Sequence, residues 1–551
     1  MVLTPMPTVA EILIDGLRRA GVQRIFGVPG GGSNLELIEA ARAQGLPFVL
    51  CHQESAACIM AAVTGELGGA PGAALSTLGP GVSASATGLA HAFLDRSPLI
   101  YLSDRHPGAT LGFATHQAFD HAAVLGPVVK ASLAVTAESA GRWIAHAAQL
   151  AMKEPRGPVH LDLPADVAGQ PAVPFATMAT PAPLPQPAAA DLDHAATMIR
   201  QAKRPVVLAG LQCRAADAKW LRAFAEALPA PVVTTYKAKG ALPDPHPLAM
   251  GVFTGGALEE PVVGRADLII AFGLDTVELI PRRWSYSAPV LSLLRGPSGA
   301  PGRGAVGGGS YFTPALEVVG DLGVILEELA PRLHQHHADW DVVEVDRLRR
   351  ERRRALEIGV PGLAPHRVVQ ITRELTPAGS IATVDAGAHM FQAAEYWQAV
   401  EPGEFLISNG LATMGFALPA AIAAQLAFPE QRVVCFTGDG GFMMVAAELE
   451  TAVRLRLPIT VVVFNDAALS LIEIKQEQKG YAGASMRYAG PDLALLARSF
   501  GVAARTATDE AGFAGALVAA QGAQGPTLID ARIDPSGYRS MLEIVRGPGG
   551  R

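Results

Sequence analysis

Short, wholly apolar runs recur along this chain, each followed by a stretch with helical spacing and closed by a glycine turn. The run at residues 433–436 enters Gly438-Asp439-Gly440, an amphipathic helix follows, and a second run at 459–464 ends in Asn465-Asp466. The middle of the chain repeats the pattern in RPVVLAG, APVVTTYKAKG and ADLIIAFG. Continuous apolar runs, rather than strict alternation, predict strands buried on both faces, as in parallel sheets covered by helices. The predicted fold class is therefore α/β, with three doubly wound parallel-sheet domains. Near the start, Thr8 and Glu11 have the spacing of a capping box and open an amphipathic helix carrying Ile12, Leu13 and Leu17.

Two shifts in composition divide the chain. Residues 170–191 are Pro/Ala-rich and predict an extended connector, and residues 334–357 are polar and charged. These place a first domain at 1–170, a linker at 171–191, a Rossmann-like middle domain at 192–335, a second linker at 336–360 and a third domain at 361–551. The glycine-rich piece 296–310 and the cluster His334, His336, His337 read as exposed loops, and the basic run 347–354 as a solvated helix face. At 551 residues the chain exceeds one core, and a net charge of −7 argues against a nucleic-acid partner. No apolar run is long enough to span a bilayer. Four cysteines in apolar contexts, without paired or ligand spacing, predict buried thiols in a reducing cytoplasm.

The most informative chemistry is the pair of acidic strand ends. Asp466 follows Asp439 by 27 residues, the length of a strand–helix–strand unit that sets two neighbouring parallel strand ends side by side. Side-chain oxygens then converge beside the amides of Gly440 and Gly441, an arrangement suited to a divalent cation carrying a diphosphate. Asn465 is the alternative ligand at the second strand end. In VDAGAHMFQAAEYW, Gly387 marks a turn and His389 can donate to a phosphate oxygen. In SNGLATMGFALPAAIAAQ, a glycine-rich loop carries Met414 and opens a helix. Glu54 is expected to end a strand before an alanine-rich helix.

These motifs together resemble the thiamine-diphosphate enzymes of the acetolactate-synthase-like group, over nearly the whole chain. The resemblance implies Mg²⁺ held by Asp439, Asp466 and the carbonyl of Ala468, with thiamine diphosphate as cofactor. It implies that Met414 wedges between the two cofactor rings. Pro71-Gly72 and Gly79-Pro80-Gly81 set a register that puts Glu54 against N1′ of the aminopyrimidine, where it promotes loss of the thiazolium C2 proton by stabilising the imino tautomer. By the same resemblance Gly32 leaves space above that carbon, and Gly79 belongs to the cofactor contacts. His116 and Gln117 match the pair placed over the thiazolium, where they relay protons to, or hydrogen-bond, the reacting carbonyl. Fold and cofactor imply decarboxylation of a 2-oxo acid, with carboligation, plain decarboxylation or lyase chemistry as outcomes. They also imply a homodimer or homotetramer with sites between subunits.

Two departures matter. Acetolactate synthases carry an Arg-Phe-Asp-Asp-Arg type segment that contacts FAD, where this chain has FGLDTVE at 272–278, so FAD is not expected. The middle-domain pieces are closer to FAD-free relatives such as carboxyethylarginine synthase. At the position of the synthases' channel tryptophan stands Lys475, which faces either the substrate or water. A dinucleotide-dependent oxidoreductase would want GxGxxG with an acidic residue further on, and AGLQCRAADA lacks it. A catalytically silent homologue would be expected to have lost Glu54 or the metal motif, and both are present.

Overall fold

In the computed structural model, the described residues are 6–174, 183–280, 284–296, 311–333, 336–483 and 485–547. Most of the glycine-rich piece, at 297–310, lies outside them, as do His334 and residues 175–182 of the connector. Among the described residues eighteen strands form three six-stranded sheets, and every pairing between these strands is parallel.

The first sheet contains β1 (Ile25–Val28), β2 (Phe48–Leu50), β3 (Gly72–Ser76), β4 (Leu99–Arg105), β5 (Ala131–Ala134) and β6 (Pro158–Pro164), in the order β2-β1-β3-β4-β6-β5. The middle sheet contains β7 (Pro205–Ala209), β8 (Val232–Thr234), β9 (Ala249–Val252), β10 (Leu268–Phe272), β11 (Val290–Leu294) and β12 (Leu316–Val319). Its order, β12-β11-β10-β7-β8-β9, is the doubly wound dinucleotide-fold arrangement. The third sheet contains β13 (Ile381–Val384), β14 (Phe405–Ile407), β15 (Val433–Gly438), β16 (Thr460–Asn465), β17 (Ala503–Ala507) and β18 (Thr527–Arg532). Its order is β14-β13-β15-β16-β18-β17, so the first and third sheets share one topology. Each reverses direction between its first and third strands, which opens a crevice at their carboxyl ends.

The central strands bury both faces, and the hydrophobic effect follows the apolar runs directly. Residues Val433, Val434, Cys435 and Phe436 of β15 and Val461, Val462 and Val463 of β16 are inaccessible to solvent. First and third domains share one apolar cluster, in which Ala57 and Ala61 of the helix Glu54–Gly68 join Ala420 and Ala424 of the helix Ala417–Ala427. Small side chains let these helix backbones approach closely.

The segment LDRSPLI joins all three domains. Asp95 accepts hydrogen bonds from the amides of Gly410 (2.6 Å) and Asn409 (3.1 Å) in the third domain. Arg96 makes a buried, bidentate pair with Asp275 of the middle domain at 2.8 and 3.1 Å.

Several local expectations change. The Thr8–Glu11 capping box is present. The segment after Gly438 is two helices, Asp439–Val445 and Glu448–Arg454, joined by a tight turn with Leu449 N bonded to Ala446 O. The polar stretch expected as a linker contains the helix Val342–Ala355, whose Val345 and Leu348 pack into the middle domain. Its basic run is not wholly solvated, because Arg352 is buried against Glu395 at 2.9 Å. Glu54 does not end a strand but opens the helix Glu54–Gly68.

Candidate functional site

The carboxyl ends of β13, β15 and β16 surround a cavity of about 210 Å³. Its walls include Gly387, His389, Met414, Asp439, Gly440, Gly441, Asp466 and Ala468, joined by Leu471, Ile472 and Tyr538. Asp439 is the first residue of its helix, and its Oδ1 accepts from the Gly440 amide at 2.9 Å. Its Oδ2 is buried and has no partner. Burial raises the Asp439 pKa. Asp466 is pushed up to about 6 by burial and by the neighbouring Asp439 charge, against the opposing bond from Ser470 Oγ.

The strand end resolves the choice between Asn465 and Asp466 in favour of Asp466 as the residue facing the cavity. Asn465 turns away and donates through Nδ2 to Asp530 on β18 at 2.8 Å. Ala467 then adopts φ +55°, a strained conformation for a side-chain-bearing residue. The turn is held by Tyr488 N on Ala467 O (3.1 Å) and Leu469 N on Met486 O (2.8 Å).

Close approach requires glycine at Gly441 and leaves little room at Gly440. A Cβ on Gly440 would lie 2.9 Å from Leu469 Cδ2 and 3.2 Å from Met414 Cε. One on Gly441 would lie 2.3 Å from Asp385 Oδ2. His389 is buried, stacks on Phe464 at 5.0 Å and leaves Nε2 without a partner. Burial holds its pKa down at about 4, although a bond to the Phe436 carbonyl opposes the shift.

This donor set fits a hard divalent cation and a diphosphate. Two carboxylates converge, one carboxylate oxygen and one imidazole nitrogen are buried without partners, and glycines leave room beside them. Among the described residues no group of three or more His, Cys, Asp or Glu could hold a metal. Mg²⁺ needs no such cage, since it commonly takes one or two carboxylates and fills its shell with phosphate and water oxygens.

The other half of the predicted site lies on the first sheet. Gly32, Glu54, Gly79 and Gln117 follow the carboxyl ends of β1, β2, β3 and β4 respectively. Gly79 has φ +59°, and a Cβ there would meet Gln117 Cβ at 2.7 Å, so only glycine suits this turn. A Cβ on Gly32 would lie 2.1 Å from Asp104 Oδ2, a buried oxygen without a partner. Glu54 is half-buried, and burial raises its pKa. The amides of His52 and Gln53 just before it donate to Glu448 Oε1 at 3.0 and 3.1 Å. His116 is exposed, and its carbonyl accepts from His106 Nε2 at 2.7 Å. None of these first-domain residues lines the third-domain cavity.

Lys475 is exposed and is not among the lining residues, whereas Leu471 and Ile472 of the same helix are. The sequence reading missed three residues. Tyr538 comes from the last helix, and the Tyr488 hydroxyl comes up against the Gly440 turn from a loop. Asp385 accepts bonds from Gly415, Phe416 and Ala417 and so fixes the loop that carries Met414. Only Asp385 had a sequence signal, as an acidic residue closing an apolar strand.

Profiles of thiamine pyrophosphate enzymes match three parts of the chain: the N-terminal TPP binding domain at residues 7–124, the central domain at 192–292 and the C-terminal TPP binding domain at 385–531. The chain is 30% identical to an acetolactate synthase of Bacillus subtilis (strain 168), over 96% of this chain and 93% of that protein. It is 30% identical to a catabolic acetolactate synthase of Raoultella terrigena, over 95% of each. It is 31% identical to the acetolactate synthase isozyme 3 large subunit of Escherichia coli (strain K12), over 89% of this chain and 88% of that protein.

Proposed function

The chain belongs to the thiamine pyrophosphate enzymes, acetolactate-synthase-like group, and from that premise we propose how its residues serve the reaction. The activity is thiamine-diphosphate-dependent decarboxylation of a 2-oxo acid with carboligation. In balance, a donor 2-oxo acid, an acceptor carbonyl compound and one proton give CO₂ and a 2-hydroxy ketone. The bound cofactor supplies a nucleophilic carbon and a sink for the electron pair left when CO₂ departs.

Asp439, Asp466 and the Ala468 carbonyl hold Mg²⁺, and Gly440, Gly441 and His389 face the diphosphate. The observation that carries this reading is the pair of converging carboxylates, with unpartnered Asp439 Oδ2 beside unpartnered His389 Nε2. Gly387 and Met414 shape the cavity for the two rings. Gly32 and Gly79 keep the opposite wall clear. Glu54 holds a proton at the aminopyrimidine, and burial raises its pKa, the direction that favours the protonated carboxyl. His116 and Gln117 hydrogen-bond the reacting carbonyl and its developing hydroxyl.

Glu54 and Asp439 serve one site only if a second copy of the chain supplies one of them, which makes a homodimer the minimum and a homotetramer compatible. Two observations support this: the third-domain cavity has no first-domain wall, and apolar side chains are exposed near both halves. Met443, Met444 and Ile472 lie beside the cavity, Leu35 lies in the helix Ser33–Ala43 that follows β1, and Phe113 and Phe119 lie in the loop after β4. No helix among the described residues is long and apolar enough to cross a membrane, and all four cysteines are free and buried, which supports a cytoplasmic location.

The test is to incubate the enzyme with Mg²⁺, thiamine diphosphate and a panel of 2-oxo acids, with and without carbonyl acceptors, following CO₂ and product masses. A condensed product is expected. CO₂ with aldehyde alone would reassign the protein as a plain decarboxylase. No CO₂ from any acid, with cofactor bound, would overturn the reading.

A further inference from the structure

Among the described residues the Glu54 carboxyl has no hydrogen bond to another residue, so its place is set by where its helix begins. The helix Glu54–Gly68 has no cap of its own, since Gln53 stands at the N-cap and makes no side-chain cap bond. A carboxylate from the third domain takes that role. Glu448 Oε1 accepts from the amides of His52 (3.0 Å) and Gln53 (3.1 Å), across 396 and 395 residues of chain. The Gln53 carbonyl in turn accepts from Ala57 N at 3.0 Å, the first bond of the helix. Gln53 is thus held at both ends, and Glu54 leaves it in a fixed direction.

The contact is part of a strap. Glu448 is 1% exposed, and its Oε2 accepts from Thr451 Oγ1 at 2.8 Å. Burial raises its pKa, while the bonds from Thr451, His52 and Gln53 oppose the shift. All three bonds are accepted by the carboxylate, an arrangement that serves its ionised form. Two more residues of the helix Glu448–Arg454 grip the same stretch of the first domain. His52 Nε2 lies 2.7 Å from Glu450 Oε2, and Arg454 Nη2 donates to Leu50 O at 2.5 Å. Leu50, His52 and Gln53 are therefore tied to the segment that continues from the Asp439 turn. Of the three gripping side chains Glu448 is the buried one, so its bonds are the least weakened by water.

We propose that Glu448 is a positioning residue for Glu54, holding the start of its helix so that the carboxyl meets the aminopyrimidine. The inference rests on the assignment of Glu54 to that ring and adds the residue that aims it. Glu448 does not line the third-domain cavity and acts through two backbone amides. Without its carboxylate both amides lose their partner, the peptide before Glu54 can turn, and the Glu54 carboxyl moves with it. A displacement of about 1 Å at a positioned group can cost roughly 10²-fold in rate. What the amides need is an oxygen acceptor at the reach of a glutamate side chain. Glutamine keeps it, since its carbonyl oxygen can take both amides while its NH₂ donates to Thr451 Oγ1. Aspartate keeps the charge but is one methylene short.

The experiment reads two quantities. In the holoenzyme with Mg²⁺ and thiamine diphosphate, NMR after acid quench follows exchange of the thiazolium C2 proton with D₂O, the step that Glu54 serves. In the cofactor-free protein, hydrogen exchange by mass spectrometry follows peptides covering 51–58, with 433–438 on β15 as the reference. Glu448→Ala should slow C2 exchange by about 10- to 100-fold and lower protection of 51–58 while leaving the reference strand unchanged. Glu448→Gln should stay close to wild type in both, and Glu448→Asp should resemble Glu448→Ala. On a Glu54→Gln background, Glu448→Ala should slow C2 exchange little further, because the group it acts through is already gone. A merely structural role would slow exchange by the same factor on both backgrounds, and that result would overturn the proposal. Wild-type C2 exchange in Glu448→Ala, or unchanged protection of 51–58, would do the same. Should Glu448→Ala not fold, the other two variants decide, and Glu448→Asp exchanging as fast as Glu448→Gln would overturn the proposal. Wild-type C2 exchange in Glu54→Gln itself would place the failure in the assignment of Glu54, whereas a slow Glu54→Gln beside a normal Glu448→Ala defeats this inference alone.

Discussion

The Asp385 carboxylate at the end of β13 organises the loop that carries Met414, and replacing it by asparagine isolates that role. Asp385 is 1% exposed. Oδ1 accepts from the amides of Phe416 and Ala417, both at 2.7 Å. Oδ2 accepts from Gly415 N at 3.2 Å and Thr437 Oγ at 2.7 Å. Asparagine keeps the shape but turns one oxygen into an NH₂ donor. If the amide oxygen keeps the place of Oδ1, the NH₂ faces Gly415 N–H and Thr437 Oγ. The threonine can adapt, since its hydroxyl already lies 3.1 Å from the Gly438 carbonyl and can donate there while accepting from asparagine. Gly415 N–H cannot adapt and is left buried without a partner, at a cost of about 1–3 kcal/mol. The two remaining bonds lose their charge assistance, about 1 kcal/mol each. Burial of the carboxylate, which raises the Asp385 pKa, is itself unfavourable, and removing the charge offsets part of the loss. A net cost of about 2 kcal/mol follows, which corresponds to roughly 30-fold faster exchange if the loop opens locally. Hydrogen exchange by mass spectrometry on the cofactor-free protein would read it in peptides covering 408–417, with 460–465 on β16 as the internal reference. Thiamine diphosphate affinity should fall in parallel. Loop protection within threefold of wild type would refute the reasoning, and so would equal loss of protection in the reference strand.

Glu54→Gln is expected to leave cofactor retention near wild type while lowering kcat by about 10²- to 10⁴-fold, the usual contribution of a positioned acid–base group; near-wild-type turnover would remove Glu54 from the reaction. Asp439→Ala deletes a charged oxygen ligand and should weaken Mg²⁺-dependent retention of thiamine diphosphate at least 100-fold by equilibrium dialysis; unchanged affinity would sink the metal assignment. His160 is held neutral by burial with its pKa at about 4, below the roughly 6.5 of an unfolded histidine. Between these values the unfolded chain binds more protons, so stability is lost as pH falls through that window, by about 3 kcal/mol for this group. His160→Gln should flatten that part of the profile in denaturant titrations at pH 7 and pH 4.5, and an identical slope in both proteins would count against it.

The sequence alone determined the fold class, because parallel strands buried on both faces must be written as unbroken apolar runs. That is visible in residues 433–436 and 459–464, and the same spacing between the two runs places Asp439 and Asp466 at neighbouring strand ends. Such strands carry no alternation, however, and so give no phase. Whether Asn465 or Asp466 turns into the cavity was decided only when β16 paired with β18 and Asp530 engaged Asn465. Residues that reach the site from far along the chain were equally illegible, since Tyr488 and Tyr538 sit on a loop and a terminal helix that packing brings in. The same holds for charge. A run of arginines looked like a solvated face, and only the tertiary contact with Glu395 shows that Arg352 is buried. The separation of Glu54 from the third-domain cavity also belongs to tertiary structure. Local sequence specifies each half of the site, but only the packed structure shows that no first-domain residue lines the third-domain cavity.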